Sequence, residues 1–319
     1  MSIVAVLGAT GAQGGSVVNQ LLQDPKWKVL GITRSVHSEK AKQLIQRGVD
    51  VVLADVNDED SLVKAFEGVT AIFAVTVYWD SIATLGRDGA GEEEVQQLKN
   101  IANAASQIRT LKHFVLSALP PADKVSGGKL KVPHFDYKQK AVDWIVQNTP
   151  ELWSKTTEFW PGWYTSNLAY LPFMKFMPFP GSQGYALAVP SSPSALLPIA
   201  GDLQTNCGIV VRGILDAGPK AYGKIAICIT DYRPITDLVS EFEKITGRPA
   251  AYLEFSDQDV EKFWDVFGAE FASQLRWSES NPNWHDLIAD RVISMRELGV
   301  EGKLVNFEQA LEALKDKLI

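Results

Sequence analysis

The sequence predicts an α/β protein: a doubly wound parallel sheet followed by a smaller C-terminal α+β region. Three observations predict it. The first half alternates short, uniformly apolar runs with longer amphipathic stretches, the pattern of strands buried on both faces between helices. A glycine-rich turn separates the first apolar run from the first amphipathic stretch. After Phe159 the alternation stops, and a segment rich in Pro, aromatics and Gly takes over.

Taken in order, Ile3–Leu7 is an apolar run of strand length. From Gly14 to Gln23, Val17, Val18, Leu21 and Leu22 fall at helical spacing. Val29–Thr33 is the second strand. Ser38 is placed to cap a helix running through Arg47, with Ala41, Leu44 and Ile45 on one face. Val49–Leu53 is the third strand, Glu59–Phe66 a short helix and Ala71–Val75 the fourth strand. Trp79–Glu92 reads as a glycine-containing insertion. Glu92–Ile108 is a long helix with Val95, Leu98, Ile101, Ala102 and Ala105 inward. His113–Leu116, Phe135–Gln147 and Ser154–Phe159 complete the pattern as strand, helix and strand. Crossovers between parallel strands are right-handed, so ligands gather at the strand C-termini.

Trp160–Pro198 carries seven prolines, which break any long helix, and reads as a lid or binding loop. Asp202–Asp216, Thr236–Thr246 and Ser256–Phe267 then read as helices, Lys224–Ile229 as a strand and Asn306–Leu318 as amphipathic. The expected division is 1–159 for the sheet domain and 160–319 for a substrate region, with Lys224–Ile229 able to return to the first sheet.

The chain has 319 residues, 46% hydrophobic and 22% charged, with net charge −7. That composition suits a soluble globular protein. No Lys/Arg run offers the basic face that phosphate-backbone binding needs, so no direct nucleic-acid contact is expected. No apolar run is long enough for a membrane span, and neither a span nor a secretory signal is expected. Cys207 and Cys228 read as two buried thiols in a reducing compartment. The expected location is the cytoplasm, with the nucleus left open.

The glycine turn reads Gly8-Ala9-Thr10-Gly11-Ala12-Gln13-Gly14-Gly15. Between a strand and a helix this is a Rossmann-type dinucleotide site. Gly8 serves the tight turn, Gly11 lets backbone approach a pyrophosphate, and Gly14 permits close helix–sheet packing. The pyrophosphate then meets the free N–H groups of the helix N-terminus. NAD sites usually end the second strand with an acid that binds the ribose hydroxyl; here the strand ends Ile32-Thr33-Arg34-Ser35. Arg34, with Lys40 one loop later, suits a 2′-phosphate instead, which predicts NADP(H). Asp55 and Val56 stand where such folds meet the adenine. Asp55 can accept from the adenine amino group or cap the helix beginning near Asp58.

Three further segments carry a family resemblance: Thr76-Val77-Tyr78-Trp79-Asp80, Phe114–Lys138 ending in Val132-Pro133-His134-Phe135-Asp136-Tyr137-Lys138, and Pro161-Gly162-Trp163-Tyr164 with Asn167. Together with the glycine turn they resemble the NmrA-like family of atypical short-chain dehydrogenase/reductases, over roughly residues 1–250. The resemblance implies that Thr10, Ala12 and Gln13 join the glycines at the pyrophosphate, and Arg34 holds the 2′-phosphate. It implies that Thr76, Val77 and Tyr78 line the ribose and nicotinamide, Lys138 reaches the nicotinamide ribose, and Trp163, Tyr164 and Asn167 close over that end. Tyr137 departs from the family's small residue and adds a phenol, for chemistry or for packing.

The Tyr-x-x-x-Lys motif of ordinary short-chain dehydrogenases is absent: four residues after Tyr137 stands Ala141, and four after Tyr164 stands Leu168. Proton donors for a reduction are therefore sought in Lys138 first, with Tyr137 beside it, then Tyr78, Tyr164 and His134, while Ser117 stands ready to bind cofactor or substrate. A desolvated Lys138 near a cationic nicotinamide would lose its proton more readily. No His/Cys/Asp/Glu cluster has metal-ligand spacing, so no metal is expected. Trp160, Trp163, Tyr164, Tyr170, Phe173, Phe176 and Phe179 form core or line a large apolar pocket. Two functions compete. One is an NADP(H)-dependent oxidoreductase, a reductase or cofactor-assisted isomerase, of a bulky apolar or aromatic small molecule. The other is a non-catalytic NADP(H)-sensing regulator acting through a protein partner.

Overall fold

The computed structural model describes residues 2–319. The first half of the chain runs β1 (Ser2–Val6), α1 (Ala12–Leu21), β2 (Trp27–Thr33), α2 (Glu39–Gln46), β3 (Asp50–Leu53), α3 (Glu59–Ala65), β4 (Ala71–Ala74), α4 (Ile82–Ser106), β5 (His113–Ser117), α5 (Ala122–Val125), α6 (Pro133–Asn148), α7 (Pro150–Trp153) and β6 (Thr156–Pro161). The remainder runs α8 (Asn167–Tyr170), β7 (Met177–Pro178), β8 (Tyr185–Val189), β9 (Leu196–Ile199), α9 (Leu203–Ala217), β10 (Ile225–Cys228), β11 (Asp231–Pro234), α10 (Ile235–Thr246), β12 (Ala250–Glu254), α11 (Asp257–Ser280) and α12 (Phe307–Ala313).

Local chemistry explains the helix ends. The Ser38 side chain accepts from the Ala41 amide and starts α2. Asp58, not Asp55, caps α3 through the Ser61 amide, with Glu59 and Asp60 in the first turn and Lys64 in the last. Those charges complement the helix dipole. Gly247, in the left-handed conformation, stops α10.

The strands form a seven-stranded, all-parallel Rossmann-like sheet in the order β10-β6-β5-β4-β1-β2-β3. The strand Lys224–Ile229 does return to this sheet: β10 lies beside β6, with Ile227 opposite Trp160. Because β1 sits between β2 and β4, the connections after β1 and β4 leave on opposite faces and open a crevice at the strand C-termini. One face buries Val4, Val6 and Phe73 under Val17 and Leu21 of α1 and Val210 and Ile214 of α9. The other buries Ala5, Leu7 and Ile72 under Leu62 of α3, Val95 and Ile101 of α4, and Phe135 of α6. Cys207 and Cys228 are both free and buried in the first of these cores.

Three stretches differ from their sequence reading. Residues 82–91 are not an inserted loop; α4 begins at Ile82 and breaks at Gly86, whose φ is 70°. Trp160–Pro198 is not structureless. It contains α8, β7, β8 and most of β9, and β8 pairs with β7 and β12 while β9 pairs with β11. Its aromatics divide between roles: Phe176 stacks on Phe242 in a third core, while Tyr170 and Phe179 are exposed. Finally, α11 continues past Phe267 to Ser280 across a break at Asp265.

Asp265 is the one non-glycine with positive φ among the described residues (φ 51°, ψ −137°), and its exposed side chain makes no hydrogen bond. Such a conformation costs about 1–3 kcal/mol for a residue with a Cβ. Asp265→Gly removes that strain but gives back about 0.5–1 kcal/mol in unfolded-state entropy. The expected result is a net gain of about 1 kcal/mol in stability by urea denaturation.

Candidate functional site

A cavity of about 800 Å³ occupies the crevice between the β1 and β4 connections. Its floor is the glycine turn. Gly8 has φ 61° and Gly11 is the α1 N-cap, with no side chain capping the helix. The first-turn N–H groups of α1 are thus left open to an anion. A Cβ on Gly14 would lie 2.3 Å from the Gly8 carbonyl oxygen, so only glycine lets the helix start this close to the turn. Gly8, Gly11, Ala12, Gln13 and Gly14 all line the cavity; Thr10, half-buried, does not.

Gln13 ties this floor to the neighbouring strands. Its Nε2 donates to Tyr164 Oη at 2.8 Å, and its Oε1 accepts from Ser117 Oγ at 2.8 Å. Ser117 ends β5 and Tyr164 follows β6, so three strand ends meet through one side chain. Burial pushes the Tyr164 phenol well above its ordinary value. Val77, Trp163 and Asn167 complete this part of the lining. The indole N–H groups of Trp163 and Trp284, both lining residues, are buried without a partner.

Lys138 lies one side-chain length from the strand ends, on α6. Its Nζ donates to Glu94 Oε1 at 2.6 Å and to Thr76 Oγ1 at 3.2 Å, while Thr76 donates to the same Glu94 oxygen at 2.7 Å. Both charged side chains are at least nine-tenths buried. Lys138 is therefore not the unpaired, desolvated ammonium that the sequence reading required for a free proton donor. It is a charge held in place at the cavity wall.

A second buried pair stands one helical turn earlier. His134 Nδ1 lies 2.5 Å from Glu270 Oε1, and the His134 backbone N–H donates to the same oxygen at 2.9 Å. Arg87 Nε binds Glu270 Oε2 at 2.6 Å, and its Nη2 donates to Ser273. Burial would raise the Glu270 carboxyl, but the His134 bonds and the Arg87 charge hold it below its ordinary value. Tyr78 donates its hydroxyl to the Arg87 carbonyl at 2.8 Å; burial, then the Glu270 charge, push its phenol far up, which leaves it a poor proton donor.

Several expected site residues lie elsewhere. Tyr137 does not face the cavity. Its ring covers Gly91 of α4, where a Cβ would lie 2.1 Å from it, and its hydroxyl donates to Asp88. Burial and that bond push the phenol up to about 12. Its role is helix packing, and the catalytic assignment falls. Arg34 is exposed beyond β2 and pairs with Asp80 at 3.3 Å; Lys40 is exposed on α2. Asp55 Oδ1 accepts from Asn57 N at 2.9 Å in an Asx turn, so the capping role is not found, while its Oδ2 makes no hydrogen bond to the described residues; Val56 beside it is half-buried.

The sequence reading offered Phe173 for an apolar pocket but missed the rest of the far wall. Trp79 stacks on Phe267 (6.2 Å, 11°), and Phe173 meets Phe271 at 4.8 Å and Trp264 at 6.4 Å. It also missed Glu94 and Glu270. Glu94 carried a signal: it sits four residues before Leu98 and seven before Ile101, on the buried stripe of α4.

Among the described residues no group of acidic, His or Cys side chains is arranged for a metal, and no helix is long and apolar enough to cross a membrane.

Comparison with known proteins agrees with this architecture. The chain is 32% identical over 277 residues to an NmrA-like family domain-containing oxidoreductase, FrzB, of a Cladobotryum species, covering 83% of this chain and 78% of that one. It superposes on NmrA, a negative transcriptional regulator solved in complex with NADP, with a TM-score of 0.77 and 20% identity over 99% of this chain and 95% of that one. It also superposes on the Citrobacter triphenylmethane reductase complexed with NADP(H), with a TM-score of 0.71 and 17% identity over 98% and 99% of the two chains. The model of the NmrA-like family matches residues 1–307, and the chain belongs to that family.

Proposed function

We propose that this protein is an NADP(H)-dependent oxidoreductase, a reductase or cofactor-assisted isomerase, of a bulky apolar or aromatic small molecule. One observation carries the reading: a single cavity joins the open α1 N-terminus to a chamber walled by Trp79, Phe173, Trp264, Phe267 and Phe271. The glycine turn is the cradle a pyrophosphate needs, and the buried, unpartnered indole N–H of Trp163 is a donor awaiting an acceptor. The cofactor, when bound, supplies or accepts a hydride. The chain's residues do the rest. The helix terminus binds the pyrophosphate, Arg34 the 2′-phosphate, and Lys138 the ribose hydroxyls beside Thr76. Residues 1–159 supply most of the cofactor cradle and 160–319 most of the aromatic wall. The NADP bound by NmrA and the NADP(H) bound by triphenylmethane reductase support the cofactor; the oxidoreductase name of the Cladobotryum relative supports turnover.

The test has two steps. Tryptophan fluorescence titrations compare NADPH with NADH for wild type and Arg34→Ala. A charged guanidinium–phosphate bond is worth about 1.5–3 kcal/mol, so wild type is expected to prefer NADPH about tenfold or more, and the variant to lose most of that preference. Equal wild-type affinities would overturn the NADP assignment. NADPH oxidation is then followed with aromatic aldehydes, quinones and cyclic imines, with Lys138→Ala as control. Tight NADPH binding without turnover of any of them would favour a sensor that acts through a protein partner.

A further inference from the structure

We propose that His134, set by Glu270, is the proton donor of the reaction, and that His134-Phe135-Asp136-Tyr137-Lys138 replaces Tyr-x-x-x-Lys with His-x-x-x-Lys. The inference rests on the reductase reading and adds the residue that reading lacks.

The spacing comes first. His134 and Lys138 are four residues apart on α6, one turn along the same face, and both line the cavity. Proton and charge partners at that spacing are what the tyrosine motif provides. Two of the three tyrosines at hand fail on geometry: Tyr137 turns onto α4, and Tyr78 donates its hydroxyl to the Arg87 carbonyl. Tyr164 accepts from Gln13 at the cavity wall, where no carboxylate or lysine is bonded to its phenol and burial pushes that phenol up. Lys138 is committed to Glu94 and Thr76.

His134 is committed on one side only. Its Nδ1 and its backbone N–H converge on a single Glu270 oxygen, which fixes the ring and assigns the Nδ1 proton to that bond. Its Nε2 makes no hydrogen bond to the described residues and is not sealed off by neighbouring atoms, so it opens on the cavity. The ring is held among Trp79 (5.0 Å), Tyr78 (5.7 Å) and Phe135 (4.7 Å). The titratable or charged groups around it are Glu270 of α11, Arg87 of α4, Tyr78 of the turn after β4, and Lys138 on its own helix. A carboxylate on one nitrogen and a reactant on the other is the arrangement in which imidazole transfers protons.

The substrate class follows. A carbon doubly bonded to oxygen or nitrogen accepts the hydride from the reduced cofactor. The π pair moves to the heteroatom, which takes the Nε2 proton, giving an alcohol or amine. The nicotinamide leaves oxidised, and the neutral imidazole regains its proton from solvent at the cavity mouth. A ketone, quinone or imine on an aromatic frame fits; a substrate already cationic at carbon needs no proton.

His134→Asn is the informative variant, because the asparagine amide N–H can replace Nδ1 toward Glu270 while nothing replaces Nε2. With phenanthrenequinone and 3,4-dihydroisoquinoline as probes, kcat is expected to fall about a hundredfold or more. NADPH affinity by fluorescence should stay within about twofold of wild type, which separates a lost proton from a lost cofactor site. A fall of less than fivefold on a reacting probe overturns the proposal. Wild-type silence toward both probes with NADPH bound overturns the reductase reading and this proposal with it. A second readout needs no turnover: in nitrogen-15 spectra of the NADP⁺ complex, Nδ1 of His134 should carry the proton in wild type. An unprotonated Nδ1 in wild type overturns the assignment.

Discussion

Gly14→Ala is expected to abolish dinucleotide binding, raising the Kd for NADPH at least about a hundredfold, a loss of about 2.7 kcal/mol or more. The added methyl would stand 2.3 Å from the Gly8 carbonyl oxygen, 2.5 Å from its carbon and 2.7 Å from the Leu7 oxygen. All three are backbone atoms of the strand end and turn, so no side-chain rotation relieves the overlap. Either α1 lifts from the sheet or the turn opens. Both move the uncapped N–H groups that would meet the pyrophosphate. The fold should survive, because overpacking by one methyl costs about 1–3 kcal/mol and α1 keeps Val17, Val18 and Leu21 in the core. Circular dichroism with a fluorescence titration separates the two effects. Folded protein that still binds NADPH at wild-type affinity would remove the glycine turn from the cofactor site.

The features that could be read from the sequence are those that local chemistry decides. The strands of the sheet were legible because parallel strands covered on both faces must be continuously apolar, as Ala71–Ala74 is. The Ser38 cap and the Gly247 stop were legible because each satisfies backbone groups within its own turn. The glycine turn was legible because three glycines at fixed spacing have a steric reason. What was not legible depends on partners far away in the chain. Whether Tyr137 faces the cavity or α4 is decided by Gly91, 46 positions earlier, and the sequence offers no reason to pair them. Glu270 meets His134 across 136 residues. The aromatic wall draws on Trp79, Phe173 and α11, three separate segments, so the clustered aromatics at 160–179 were only part of it. His134 stood last among the proton-donor candidates in the sequence, because the Glu270 that sets it lies 136 residues away.

Glu94→Ala is expected to cost about 3–5 kcal/mol of stability, the usual consequence of removing one member of a buried ion pair. Lys138 Nζ would keep only the Thr76 hydroxyl within a site where its side chain is 9% exposed, and Thr76 would lose its acceptor. The paired variant Glu94→Leu with Lys138→Met should recover most of that loss. The existing pair is imperfectly satisfied: Glu94 Oε2 is buried without a partner, and such a pair is readily matched by apolar packing. Urea midpoints of the two variants decide this, and a double variant no more stable than Glu94→Ala would overturn it. The same double variant asks why the pair is there. If it folds as wild type but binds NADPH at least about tenfold more weakly, the ammonium is kept for a ligand, since a charge pair that packing can replace has no structural reason to persist. Unchanged NADPH affinity in a well-folded double variant would instead place Lys138 outside the cofactor's reach.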